Sequence, residues 1–70
     1  MRLYGTDTCN ACTIAKKLLT DKGYGYYEWV DVKHIQGFSG EIPQLELDDG
    51  TMIVSLGQIN NWVKLQQRIM

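Results

Sequence analysis

A chain of 70 residues is less than half a typical domain. At this size only about 60% of the unfolded surface leaves water on folding, so two-lobed enzymes and large barrels are excluded. Seven Lys and Arg against eight Asp and Glu leave a net charge of −1, with 44% hydrophobic and 21% charged residues, an ordinary globular composition. That balance supplies no basic footprint for nucleic acid and no polybasic membrane patch. No apolar run nears the roughly 20 residues of a membrane span, and residues 1–7 hold no apolar signal region, so a cytoplasmic address is expected.

In chain order, Leu3-Tyr4, preceded by Arg2 and ended by Gly5, predicts a short strand. Thr6-Asp7-Thr8 carries turn and N-cap chemistry. Ala11, Ile14, Ala15, Leu18 and Leu19 recur at spacings of three and four, with Lys16, Lys17, Asp21 and Lys22 opposite. This predicts an amphipathic helix, basic toward its C-terminal half in keeping with the macrodipole, and stopped by Gly23. Tyr24 to Val32 is dense in aromatic and β-branched residues and predicts a strand, strongest over Tyr26 to Val32. Its aromatics are assigned to packing. The polar connection over residues 33–41 has room for one helical turn, with His34 in solvent.

Pro43 opens Gln44-Leu45-Glu46-Leu47, whose period-two alternation predicts a strand. Asp48-Asp49-Gly50 predicts the hairpin turn and Thr51 to Val54 the returning strand. A last helix places Ile59, Trp62, Val63, Gln66 and Ile69 on one side. No linker or repeat interrupts the order, so residues 1–70 are expected to form one domain.

The two cysteines, Cys9 and Cys12, enclose only Asn10 and Ala11. As a brace this pair is poorly placed: a four-residue ring contributes about 1.9 kcal/mol before strain, against about 3 for fifteen residues. Zinc needs three or four Cys/His ligands, and Cys9, Cys12 and His34 reach three at most. A dithiol that cycles is the reading left. The spacing puts Cys9 at or just before the helix, facing unpaired N–H groups at the positive end of the dipole, and Cys12 in the first turn. Such placement lowers a thiol pKa, raising the thiolate from about 3% at neutrality to half or more. Cys9 is then the nucleophile and Cys12 the resolving thiol. Asp7 is expected to hold the Cys9 pKa up somewhat, because no Lys or Arg lies between Gly5 and Ala15.

Nearly the whole chain resembles a glutaredoxin of the thioredoxin superfamily. The residues that carry the likeness are Leu3-Tyr4-Gly5, Cys9-Asn10-Ala11-Cys12, Ile14-Ala15-Lys16-Lys17-Leu18-Leu19, Tyr27 to Val32, Ile42-Pro43-Gln44-Leu45 and Asp49-Gly50. The resemblance implies an α/β thioredoxin-like fold, a four-stranded mixed sheet with flanking helices. The ten residues between Val32 and Pro43 leave the second helix shortened. It also implies a cis bond before Pro43, and a substrate-binding set of Thr8, Ile42, Pro43 and Ser55 beside the catalytic Cys9 and Cys12. The implied activity is reduction of protein disulfides or glutathione mixed disulfides, with no bound cofactor and no metal. Glutathione would be the reductant and ribonucleotide reductase one acceptor, the chain acting as a monomer.

Several positions depart from the family. Asn10-Ala11 stands where Pro-Tyr is usual, and Glu41-Ile42-Pro43 where Thr-Val-Pro is common. Val54-Ser55-Leu56-Gly57 aligns with a glutathione-binding Gly-Gly-x-Asp, which leaves a Ser hydroxyl and helix N-terminal amides for that ligand. The basic residue often found just before the dithiol is missing. The eroded Gly-Gly-x-Asp signature favours, as an alternative, a glutaredoxin-like electron donor reduced by thioredoxin reductase. A rival of another class is a metal-binding module using Cys9 and Cys12, across a homodimer. A third is an inactive scaffold, which the intact dithiol argues against.

Overall fold

The computed structural model describes residues 1–38 and 40–69, with side chains through residue 66. The elements run β1 (Arg2–Gly5), α1 (Asn10–Asp21), β2 (Glu28–Asp31), a 3₁₀ turn (Val32–His34), β3 (Gln44–Glu46), β4 (Met52–Val54) and α2 (Leu56–Ile69). The architecture is α/β, one mixed sheet in the order β2-β1-β3-β4. β1 pairs parallel with β2 and antiparallel with β3, and β3 pairs antiparallel with β4. The parallel pair needs a crossover, and α1 supplies it.

One core holds the layers together. Leu3, Leu45 and Ile53 point from one face of the sheet into a cluster with Ala15 and Leu19 of α1 and Ile59 and Val63 of α2. In β1, β3 and β4 the odd-numbered residues are buried and their neighbours half-buried or exposed, as the two-residue period of a strand requires. Both helices therefore lie on one face. On the other face, Arg2 sits in register with Glu28 and Glu46, and Gln44 with Val54. The Arg2 guanidinium donates to Glu46 at 3.2 Å, and Phe38 stacks on Tyr4 with ring centroids 6.1 Å apart. Among the described residues, the connection between β2 and β3 holds one 3₁₀ turn, Val32–His34.

Several expectations change. The second strand covers only Glu28–Asp31 instead of reaching from Tyr24 or Tyr26 to Val32. A strand needs a partner, and of the Tyr24 to Val32 segment β1 pairs with only those four residues. Val32 begins the 3₁₀ turn instead. Tyr24 is used at the end of α1: Gly23 N–H donates to Thr20 O and Tyr24 N–H to Leu19 O, with Gly23 at φ +87. This paired closure needs a left-handed residue, which glycine adopts without a Cβ penalty. The Tyr24 ring meets Trp62 of α2 at 5.1 Å, while Tyr26 is exposed. The last turn of α1 carries no basic residue, so the expected match to the macrodipole is absent; Lys22 is the C-cap. Ile14, expected in the core, is 54% exposed, and Cys12 is buried with Ala15 and Leu19. His34 is exposed, as expected. On α2, Ile59 and Val63 are buried as the spacing predicts; the side chain of Ile69 lies outside the described residues. Among the described residues no helix is long and apolar enough to cross a membrane.

Candidate active site

β1 delivers the chain to the end of the sheet at Gly5, and a turn over Thr6, Asp7 and Thr8 brings it into α1, with Cys9 N–H donating to Thr6 O at 3.3 Å. The N-cap of α1 is Cys9 itself. Its sulfur accepts from Cys12 N–H at 3.3 Å, the position a Ser or Asp oxygen ordinarily fills. No acidic residue lies in the first turn to compete for the helix amides. Cys9 is half-buried, Cys12 fully buried, and both are free thiols.

The two thiols meet opposite environments. The Cys9 pKa is lowered, chiefly by the hydrogen bond with the Cys12 side chain, then by the N–H groups of Cys12 and Ala11, against a desolvation cost. Burial, followed by the hydrogen bond with Cys9, pushes the Cys12 thiol up to about 11. The expected restraint from Asp7 is not what governs Cys9. Asp7 Oδ1 lies 4.0 Å from Lys16 Nζ, so its charge is met by a lysine from the next turn of α1. Lys16 lies just past the stretch from Gly5 to Ala15, four positions after Cys12 and on the same helix face.

The sheet brings the remaining predicted residues to the same end of the molecule. Tyr4 is in register with Gln44, and Gln44 with Val54, so Pro43 and Ser55 flank the end of β1 that leads into the dithiol. Ser55 N–H donates to Pro43 O at 2.9 Å, tying the two together. Pro43 is buried and the Ile42–Pro43 bond is cis; Ile42 is half-buried. Ser55 holds a positive φ of 80°, and its Oγ accepts weakly from Gln58 N–H at 3.5 Å in the first turn of α2. Thr8 is exposed, immediately before Cys9.

Two residues of the site were overlooked in the sequence. Gly5 reads there as a strand terminator, yet a Cβ on it would lie 2.5 Å from Cys12 Sγ and 2.9 Å from the Trp29 ring. The Cys12 thiol and the Trp29 indole fit only because Gly5 has no side chain. Trp29 reads as packing, and it is partly buried against the core. It also carries Lys16 Nζ 3.5 Å above its ring centroid. Among the described residues, no three His, Cys, Asp or Glu side chains gather in a way that could hold a metal ion. No family model matches the chain, and neither a curated protein nor a solved structure matches it.

Proposed function

We propose that this chain is a dithiol thiol–disulfide oxidoreductase of the glutaredoxin kind, with the thioredoxin-like fold reduced to a two-layer form. The observation that carries the reading is the asymmetry of the dithiol: a half-buried sulfur capping a helix with its pKa lowered, and a buried sulfur one turn on with its pKa raised. A pair that served only as a brace would not need its two thiols in opposite states. The Cys9 thiolate attacks a substrate disulfide, forming a Cys9–substrate bond while the first substrate sulfur leaves with the electron pair and takes a proton from solvent. Cys12 then gives up its proton and attacks Cys9. The second substrate thiolate departs, and the Cys9–Cys12 disulfide remains, oxidised by two electrons.

Glutathione, as two successive thiols, would return the dithiol to its reduced state. Thr8, Ile42, Pro43 and Ser55 are the residues we assign to the substrate. The second reading, reduction by thioredoxin reductase, is favoured by the sequence Val54-Ser55-Leu56-Gly57, which lacks the carboxylate of a Gly-Gly-x-Asp site. Ribonucleotide reductase is the proposed acceptor, and the chain is proposed to act as a cytoplasmic monomer. NADPH oxidation is the test, coupled through glutathione and its reductase in one assay and through thioredoxin reductase in another. Turnover is expected in at least one assay and lost in Cys9→Ser. No turnover in either overturns the reading.

A further inference from the structure

Cys12 is fully buried, yet the resolving step requires it to lose a proton. A thiolate in a closed, apolar site needs an opposite charge close by. Lys16 lies one helical turn after Cys12, where residues four apart are neighbours, about 5–6 Å between Cβ atoms. The lysine is not a free surface charge. Its ammonium sits 3.5 Å from the centroid of Trp29 and 4.0 Å from Asp7 Oδ1, and its side chain is only 35% exposed. The Trp29 ring also approaches Gly5, over which the Cys12 sulfur packs, so lysine, indole and buried thiol form one contiguous group.

We propose that Lys16, held between the Trp29 ring and the Asp7 carboxylate, is the positioning residue that lets Cys12 deprotonate in the resolving step. This rests on the oxidoreductase reading above. The charges around Cys12 fit the assignment. From α1 and its cap, Lys16 favours the thiolate, and Cys9 opposes it while it is itself an anion. From the β1–α1 turn, the Thr6 backbone favours the thiolate, and Asp7 is engaged by Lys16. From β2, Asp31 turns its carboxylate to the Lys33 N–H at 2.9 Å. Once Cys9 is bonded to substrate its negative charge is gone, and Lys16 is left as the charge that acts on Cys12. The attraction is thus felt when the second thiol must react. In that step the Cys12 S–H and Cys9–substrate bonds break and the Cys9–Cys12 bond forms. The electron pair leaves on the substrate thiolate, and the Cys12 proton passes through solvent.

Stopped-flow reaction with an aromatic disulfide, dithiobis(nitrobenzoate), separates the two steps. The first thionitrobenzoate released reports Cys9 and the second reports Cys12. In Lys16→Gln the first phase should stay within about twofold of wild type, because the lysine is assigned to Cys12. The second should slow about tenfold at neutral pH and its pH profile move up by about one unit, with the rates converging at high pH. Lys16→Arg should restore most of the second phase. A second phase with an unmoved pH profile in a Lys16→Gln protein that melts like wild type overturns the proposal. A wild-type protein that never releases the second thionitrobenzoate overturns the oxidoreductase reading instead.

Discussion

Cys9 and Cys12 share one helix N-terminus and still face different surroundings, because a cap residue looks outward and a first-turn residue looks under the helix. That difference gives each thiol a separate prediction. Cys9→Ser should abolish disulfide reduction, since Cys12 is buried and protonated near neutrality; substantial remaining turnover would reverse the assigned roles. Cys12→Ser should retain the first attack and accumulate a Cys9 adduct, seen by intact mass after treatment with glutathione disulfide. Stability gives a third handle. The folded chain holds the Cys12 proton to about pH 11, whereas a solvated thiol loses it near about 8.5. Stability from this difference is complete below the unfolded pKa and is lost as pH rises toward the folded one. Urea midpoints of the reduced protein should therefore fall more steeply above pH 8.5 in wild type than in Cys12→Ala. Parallel curves would show that Cys12 is not buried as a neutral thiol. The Cys-x-x-Cys spacing made the placement of both sulfurs legible beforehand. Lys16 and Gly5 were not legible, because they act through contacts that depend on the strand and helix meeting.

At the scale of elements, the β1–α1 junction leaves no room at Gly5. A methyl group on Gly5 would need the Cys12 sulfur and the Trp29 ring to move at once. Gly5→Ala should cost about 1–3 kcal/mol, the usual range for overpacking a core. It should also slow disulfide reduction by displacing Cys12. Urea unfolding and the coupled assay check both, and a variant with wild-type stability would contradict the packing described. Long periodic segments were the easiest to read: α1 follows its apolar spacing at Ala15 and Leu19 though not at Ile14, α2 follows it at Ile59 and Val63, and the Gln44-Leu45-Glu46 alternation marks β3. The second strand was overread because Tyr24, Tyr26 and Tyr27 have strand-like side chains but no backbone opposite them. Aromatic composition reports a wish to pack, and Tyr24 satisfies it against Trp62.

The whole molecule is a sheet with helices on one face and a salt-bridged, aromatic-capped surface on the other. The period-two pattern of β3 agrees with that, since a strand covered on both sides reads as continuously apolar. Substitutions should divide by face. Leu19→Ala, on the helix-covered side, should cost about 2–5 kcal/mol through the cavity it leaves. Met52→Ser, on the open side where the methionine is 43% exposed, should stay within about 0.5 kcal/mol. Equal losses in thermal or urea denaturation would mean that the second face is covered too. The fold thus brings the ends of β1, β3 and β4 to one edge and sets the dithiol there, and the central claim is that this dithiol cycles. Redox titration in glutathione buffers, with trapped thiols counted by mass spectrometry, tests it most directly. The prediction is a single reversible transition in which the protein loses two hydrogens to an intramolecular Cys9–Cys12 disulfide. Two alkylatable thiols at every buffer ratio would contradict it.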